Sequence, residues 1–419
     1  SVGSREKIAG GDRESIFQPE WSPDNSLYFV SDRSHWWNLY RWRGVAVEAV
    51  HAMHAEFGKP QWTFSMVTYA IVDANRIAAT YSEGGRWRLA MIDVETRTFA
   101  PVETRIEPLE SIRAAHSTEI FFIGGSPADA SAIVKFNVQT GRHEVLRSAT
   151  SDPISKDWIS VAEAVTFKAG AREVHAFYYA PANPEVQAPE GDRPPLLVIT
   201  HGGPTGATID TLDPKIQFWT SRGFAVLDVN YSGSTGYGRP YRDRLKGQWG
   251  IVDVEDVVAG AKAMVAAGKA DPARLIIRGG SAGGYTTLAA LTFHDTFKSG
   301  ASYYGISDLE VLQQDTHKFE SRYNDSLIGP YPAAKDTYIA RSPIHFTDRL
   351  ACPIILFQGL EDKVVPPNQS AMMAEAVRKK GIKVKYVTFE GEQHGFRKAE
   401  NIITSLEEEL AFYRDVFGM

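Results

Sequence analysis

Gly279-Gly280-Ser281-Ala282-Gly283 is the most informative segment of this 419-residue sequence for its fold. It follows the apolar run Leu275-Ile276-Ile277, which is typical of a buried strand, and a helical pattern begins near Gly284. A G-x-S-x-G sequence between a strand and a helix predicts a tight turn that lifts the serine hydroxyl off a sheet. The alternative is a glycine-rich turn with an incidental serine, and the strand-to-helix context argues against it.

Alternating strand and helix patterns surround this turn, from about residue 155 to the C-terminus. Further strands are predicted at 196–200, 224–229, 300–304, 353–358 and 384–389, and helices at 252–265, 369–380 and 405–417. Such alternation predicts an α/β fold with a mostly parallel, doubly wound sheet that helices cover on both faces.

A serine is a weak nucleophile unless a base activates it and an acid orients that base. In folds with this turn the partners follow in the order Ser, Asp or Glu, His. Asp362 and His394 each come directly after a predicted strand, where loops leave the carboxyl edge of the sheet. We therefore predict that Asp362 orients His394, which takes the proton of Ser281.

Other residues compete for these roles. Glu361 adjoins Asp362, and Asp308 also follows a strand, so both are alternative acids. The histidines at 294, 317 and 345 lie away from strand ends, and we interpret them as surface or structural residues.

Attack by a serine on a carbonyl produces a negatively charged oxygen, the oxyanion, which two hydrogen-bond donors stabilise. One is the backbone N–H of Ala282, next to the nucleophile. The other is expected from the loop His201-Gly202-Gly203-Pro204, which follows an earlier strand. We favour the amide of Gly203 and interpret His201 as a structural hydrogen-bonding residue rather than a second base.

Residues 1–150 have a different pattern, of short strands broken by turn residues. Pro19-Glu20-Trp21-Ser22 is echoed at 60–63, and Asp93-Val94-Glu95-Thr96 at 137–140. A period of about 40–45 residues with several strands is typical of a β-propeller blade. About three blades fit, with a β-sandwich as the alternative. Because three blades leave open sheet edges, we expect a further N-terminal segment or a second chain to complete the propeller.

The amino-acid composition argues against several classes of function. Hydrophobic residues make up 43% and charged residues 23% of the chain, which predicts a folded globular protein. A net charge of −6 gives no reason to expect nucleic acid, and no apolar run is long enough to cross a membrane. Cys352 is the single cysteine. No metal motif is present, and Gly233–Gly238 lacks dinucleotide-loop spacing, so neither a metal nor a cofactor is predicted. A cytoplasmic location is expected, and a homo-oligomer is left open.

Together these motifs resemble the prolyl oligopeptidase family of serine peptidases. The resemblance rests on the His201 loop, residues 230–238, the Ser281 turn, Asp362 with Val365-Pro366, and Glu392-Gln393-His394-Gly395. The resemblance implies part of a β-propeller at 1–150 followed by an α/β-hydrolase domain at 151–419, and it points to the acylaminoacyl-peptidase and aminopeptidase branch.

The resemblance also implies two substrate-binding residues. Arg322, in Glu320-Ser321-Arg322-Tyr323, would bind a substrate carbonyl, and Val365 would line the pocket for the residue before the scissile bond. Tyr303 and Tyr304 could line the same pocket, but we interpret them as core.

The predicted function is hydrolysis of short peptides at or near their N-terminus, through a Ser-Asp-His triad and an acyl-enzyme, with the propeller limiting access. Short peptides are thus the expected partners, with either free or acylated termini. A carboxylesterase on the same fold is the alternative, and a non-catalytic propeller binding module is a third hypothesis.

Overall fold

The structure of the protein is a computed structural model that describes residues 5–419, apart from the side chains of residues 108 and 109. It divides into two compact units. Unit 1 contains the described residues up to 155 together with Ile209–Asp213 and Thr235–Arg242. Unit 2 contains Lys156–Thr208, Pro214–Ser234 and Asp243–Met419. The two short segments of unit 1 come from the part of the chain that the sequence pattern assigns to the second domain.

Unit 1 is built from three four-stranded antiparallel sheets, each formed by consecutive strands. The first contains β1 (Ile16–Trp21), β2 (Leu27–Ser31), β3 (Asn38–Trp42) and β4 (Val47–His51). The second contains β5 (Tyr69–Ile71), β6 (Arg76–Glu83), β7 (Arg86–Asp93) and β8 (Thr98–Val102). The third contains β9 (Glu107–His116), β10 (Glu119–Ser126), β11 (Asp129–Asn137) and β12 (His143–Ser148). These sheets are part of a β-propeller.

One of the two sequence echoes is a structural repeat. The Asp93 carboxylate accepts the amides of residues 95 and 96 in the turn between β7 and β8. Asn137 accepts the amides of residues 139 and 140 in the same way between β11 and β12. The echo of Trp21 is different, because Trp21 ends β1 whereas Trp62 lies in the loop before β5.

Apolar side chains hold the three sheets together. The first and second sheets share one core, which includes Val30, Leu39 and Ile77. The second and third sheets share another, which includes Leu89 and Ile120. Each sheet therefore has an apolar face against a neighbouring sheet, which is how stacked sheets are stabilised.

Ion pairs bind the two later segments within unit 1. Asp32, only 1% exposed, accepts Arg239 and Arg242 at 2.6 Å each. The Glu56 carboxylate accepts the backbone N–H of Gly238 at 3.0 Å. In the other segment, Asp210 pairs with Arg86 on β7 at 3.1 Å. The Asp32 and Asp210 carboxylates are largely removed from water, so each depends on its arginine partner remaining in place.

Unit 2 is centred on an eight-stranded sheet in the order β13-β14-β16-β15-β17-β18-β19-β20. The pairs β13–β14 and β14–β16 are antiparallel, and the other five are parallel. The strands are β13 (Glu163–Ala169), β14 (Arg172–Tyr179), β15 (Leu196–Thr200), β16 (Ala225–Asn230), β17 (Leu275–Gly280), β18 (Ser299–Tyr303), β19 (Ile354–Gly359) and β20 (Val384–Phe389).

Helices cover both faces of this sheet, as the alternating sequence pattern predicts. The helices in this part of the chain are α1 (Pro214–Thr220), α2 (Arg239–Arg242), α3 (Val252–Ala266), α4 (Ala282–Phe293), α5 (Leu309–Asp315), α6 (Tyr323–Leu327), α7 (Lys335–Arg341), α8 (Asn368–Lys379) and α9 (Ala399–Phe417), of which α2 belongs to unit 1. One core joins α3, α4 and α8 to the sheet, and a separate core joins α1 and α9 to it. Among residues 5–419, no helix combines the length and apolarity needed to cross a bilayer.

Candidate active site

The turn at Ser281 has the strained geometry that its sequence predicts. β17 ends at Gly280, α4 begins at Ala282, and Ser281 between them has φ 58° and ψ −123°. A non-glycine residue rarely adopts such a positive φ, so the surrounding structure must hold it there. The backbone N–H of Ser281 donates to the carbonyl of Tyr303 on the neighbouring strand at 2.9 Å.

Glycines around Ser281 are required by close approach to the end of β15. A Cβ on Gly279 would lie 2.1 Å from the hydroxyl of Thr200. A Cβ on Gly283 would lie 2.1 Å from the Thr200 carbonyl oxygen and 2.8 Å from that of His201. Because real Cβ atoms do not approach this closely, the turn can pack here only with glycine.

Substituting Gly283→Ala should therefore destabilise the protein. We expect a loss of about 3 kcal/mol or more, because the backbone of β15 cannot yield as a flexible side chain could. The free energy of unfolding in urea measures this loss. Gly11→Ala is the matched control, since its Cβ would meet only the Lys7 amino group at 3.6 Å. Equal stability of both variants would contradict the packing argument.

The structure brings together the three predicted triad residues. His394 Nε2 lies 2.9 Å from Ser281 Oγ, and His394 Nδ1 lies 2.8 Å from Asp362 Oδ2. A carboxylate only accepts, so Nδ1 donates to Asp362 and Nε2 is left to accept the serine proton. This is the arrangement in which a serine becomes nucleophilic.

The Asp362 carboxylate is fixed by its own loop. Its Oδ1 accepts the backbone N–H groups of Val364 at 2.8 Å and Val365 at 2.9 Å. The residue is 4% exposed, and its Oδ2 is directed at His394. The orientation of the carboxylate is therefore set before any substrate binds.

The alternative acids and the other histidines considered for the triad make contacts elsewhere. Glu361 is exposed. Asp308 caps α5 by accepting the amides of Glu310 and Val311. His294 ends α4, His317 stacks on Phe319, and His345 lies 3.6 Å from Asp308. Within the described chain, none of these residues has a hydrogen bond to Ser281 or His394 among its contacts.

The segments that carry the two predicted oxyanion donors lie beside the nucleophile. A Cβ on Gly202 would lie 3.5 Å from that of Ser281, so this loop passes directly beside the serine. The next residue, Gly203, has φ +124°, which favours glycine. On the other side, Ala282 is the first residue of α4, and the first amides of a helix lack intrahelical acceptors.

His201 supports this loop as a neutral side chain. Burial lowers its pKa to about 4. Its Nδ1 donates to the Gly202 carbonyl at 2.8 Å, and its Nε2 lies 2.7 Å from Ser234 Oγ. The ring also stacks on Tyr231 with centroids 4.2 Å apart. These contacts agree with the structural role expected for His201.

The two residues predicted to bind substrate, Val365 and Arg322, have surroundings that differ from those of the triad. Val365 is 2% exposed and packs in the apolar core, where its N–H binds Asp362. The Arg322 side chain is 83% exposed and pairs with Asp325 at 3.0 Å. The structure thus joins Val365 to the triad through its backbone, and it directs Arg322 to a residue of its own helix.

Tyr304 is a residue of the site that the sequence interpretation assigns to the core. Its ring lies 4.9 Å from the His394 ring and 5.5 Å from that of Phe396, centroid to centroid. Its φ of 39° is strained, and its ring would lie about 3 Å from a Cβ on Gly280. Tyr304 therefore fills the space between the nucleophile turn and the imidazole. Its neighbour Tyr303 is core, bonded to the buried Glu409 carboxylate.

Removing the Tyr304 ring should impair catalysis by loosening His394. We expect Tyr304→Leu to lower kcat by about 10- to 100-fold with little change in KM, because small displacements of catalytic groups are costly. Tyr304→Phe keeps the ring and should stay within about fivefold of the wild type. Steady-state kinetics separate the two parameters, and a Leu variant with wild-type kcat would exclude the positioning role.

Residues 211–419 match the model of the prolyl oligopeptidase family. A solved Mycobacterium tuberculosis puromycin-hydrolyzing peptidase is 46% identical, with a TM-score of 0.95, over 98% of this chain and 63% of its own. A solved puromycin hydrolase is 39% identical, also with a TM-score of 0.95, over 99% of this chain and 63% of its own.

A curated relative, dipeptidyl peptidase family member 6 of Caenorhabditis elegans, is 34% identical over 53% of this chain. This chain spans only 33% of that relative and 63% of each solved structure. The family match falls mostly in unit 2, and the solved structures align with both units. The chain belongs to the prolyl oligopeptidase family.

Proposed function

We propose that the protein is a serine peptidase that hydrolyses short peptides at or near their N-terminus. The observation that carries the proposal is the continuous chain of hydrogen bonds from Asp362 through His394 to Ser281. Relatives described as puromycin-hydrolysing and dipeptidyl peptidases support the same reaction class.

The reaction proceeds in two halves. Ser281 Oγ attacks the scissile carbonyl carbon while its proton passes to His394 Nε2, and the amides of Gly203 and Ala282 stabilise the oxyanion. His394 then donates that proton to the leaving amine as the C–N bond breaks, which leaves an acyl-enzyme. Water attacks the ester with His394 as base, and the serine is released. Throughout, Asp362 keeps the imidazole in place.

The experiment that tests this function compares amides with esters. Initial rates are measured on aminoacyl-p-nitroanilides with free and N-acetylated amino termini, and on p-nitrophenyl esters. Turnover of the anilides supports the peptidase. Turnover of esters alone would identify a carboxylesterase, and no turnover would favour a non-catalytic binding module.

Several expectations from the sequence accompany this proposal as predictions. They are a cytoplasmic location, a propeller completed by a further N-terminal segment or a second chain, and the open question of a homo-oligomer. Cell fractionation tests the cytoplasmic location. The mass of the intact complex in solution tests for a further segment, a second chain or a homo-oligomer.

A further inference from the structure

A buried carboxylate on α9 contacts the strand that leads into the nucleophile turn and the strand beside it, and the mechanism above makes no use of it. Glu409 has no exposed surface. Its Oε2 accepts the hydroxyl of Tyr303 and lies 3.3 Å from Nη2 of Arg278. Its Oε1 accepts the hydroxyl of Tyr413, one turn further along α9, at 2.8 Å. The carboxylate thus has polar partners on β17, on β18 and on its own helix.

The two strand partners of Glu409 lie where the nucleophile turn is held. Arg278 belongs to β17, and Ser281 follows the end of that strand. Tyr303 is the last residue of β18 and is paired with Gly280. The carbonyl of Tyr303 accepts the N–H of Ser281 at 2.9 Å. A single carboxylate therefore connects side chains of both strands at the point where the nucleophile leaves the sheet.

Stability alone is a poor reason for burying these charges. Taking Glu409 and Arg278 out of water costs free energy that their attraction does not fully return, and apolar side chains of similar volume often stabilise a core as well or better. Burial raises the pKa of Glu409, while Arg278 and the two tyrosine hydroxyls oppose that shift. Charge-assisted hydrogen bonds do add fixed directions, which apolar contacts lack. Fixed directions matter here because Ser281 has a strained φ that its surroundings must hold.

We propose that Glu409 is a positioning residue for the nucleophile. By fixing the Tyr303 side chain it fixes the carbonyl that accepts the N–H of Ser281, and this keeps the serine Oγ directed at His394. Glu409 acts on the serine through Tyr303, so it positions the reacting group and takes no part in the reaction itself. The proposal rests on the proposed function in that Ser281 is the nucleophile, and it is independent of which substrate is cleaved.

The reactivity of Ser281 can be measured without a peptide substrate. Phenylmethylsulfonyl fluoride reacts with an activated serine: Ser281 Oγ forms a bond to the sulfur, fluoride leaves, and the hydroxyl proton passes to His394. The second-order rate constant of labelling, followed by the intact mass of the full chain, therefore reports how well the nucleophile is aligned. Ser281→Ala lacks the reacting oxygen and gives the background rate.

Two tyrosine variants form a matched pair, since each removes one hydroxyl from the same carboxylate. Tyr303→Phe cuts the connection from Glu409 to the strand that holds Ser281, whereas Tyr413→Phe cuts a contact within α9. We expect labelling to slow by about 5- to 20-fold in Tyr303→Phe and by at most about twofold in Tyr413→Phe, because small displacements of a reacting group are costly. The free energies of unfolding in urea should fall by similar amounts. Equal labelling rates in the two variants would overturn the proposal.

Changes at Glu409 itself test the role of its oxygens. Glu409→Leu removes both acceptors, and we expect labelling to slow by about 20-fold or more. Glu409→Gln keeps one oxygen for Tyr303 and Arg278, and its NH₂ group can donate to the hydroxyl of Tyr413, which is able to accept. Labelling of this variant should stay within about threefold of the wild type. A folded Leu variant that is labelled at the wild-type rate would overturn the proposal, and if the Leu variant does not fold, the tyrosine pair decides.

Steady-state kinetics on an aminoacyl-p-nitroanilide provide a second readout. Tyr303→Phe should lower kcat and leave KM unchanged, because the alignment of the nucleophile affects the chemical step and not the binding of substrate. A rise in KM with an unchanged kcat would contradict the positioning role. If the wild type labels but does not cleave the anilide, the proposed peptidase is wrong while the labelling rates still decide the role of Glu409. A wild type that the probe does not label would overturn the positioning role, since no reactive serine would be present.

Discussion

Replacing Ser281 with alanine should lower kcat for p-nitroanilide hydrolysis by about 10⁴-fold or more, because the variant lacks the hydroxyl that is hydrogen-bonded to His394 Nε2. The change removes one oxygen and keeps the backbone of the turn. We therefore expect the free energy of unfolding to stay within about 1 kcal/mol of the wild type. Initial rates and urea unfolding of the same preparation measure both quantities.

A matched serine provides the control for this variant. Ser221 follows α1, and its hydroxyl donates to the carbonyl of Phe218 at 3.2 Å. Ser221→Ala should keep full activity. If Ser281→Ala retained a rate within tenfold of the wild type, Ser281 would not be the nucleophile.

Substituting Asp362→Asn should lower kcat by about 10³- to 10⁴-fold through the histidine tautomer. The amides of Val364 and Val365 donate to Oδ1, so they hold the amide oxygen of the asparagine at that position. Its NH₂ group then faces His394 Nδ1, which must accept, and the ring proton moves to Nε2. Because a protonated Nε2 cannot accept the proton of Ser281, the base is lost while the geometry remains.

Asp308→Asn is the control that separates the two candidate acids. Asp308 accepts the first amides of α5, and asparagine caps helices as well as aspartate does. We expect unchanged kinetics for this variant. Loss of activity in Asp308→Asn with an active Asp362→Asn would reverse the assignment. Proton NMR of the imidazole N–H groups would report the tautomer directly.

The nucleophile turn and the parallel sheet could be predicted because their signals are local. The glycines around Ser281 are needed within one turn, and strands such as β15 and β19 are continuous apolar runs. The hairpin of β13 and β14 gives no such signal, since most of β13 is exposed and carries polar residues at several positions. Its antiparallel pairing depends on contacts between residues that are distant in the sequence, and the hydrophobic periodicity of a single segment does not reveal such contacts.

Side-chain direction is the part of the candidate site that the sequence could not supply. The resemblance assigns Val365 and Arg322 to substrate binding, but it does not say where their side chains point. Val365 turns into the core while its amide binds Asp362, and Arg322 turns to Asp325. Tyr304 gains its position from its strained backbone directly after β18, which no pattern of residue types reveals.

The course of the chain through Ile209–Asp213 and Thr235–Arg242 limits how the molecule can be divided. A single cut after residue 155 would separate Asp32 from Arg239 and Arg242, and Arg86 from Asp210. Orphaning a buried ionic partner costs about 3–5 kcal/mol, which is a large share of the stability of a domain. Unit 1 takes residues from both sides of that cut, so dividing the chain there would leave the buried carboxylates of unit 1 without their arginine partners.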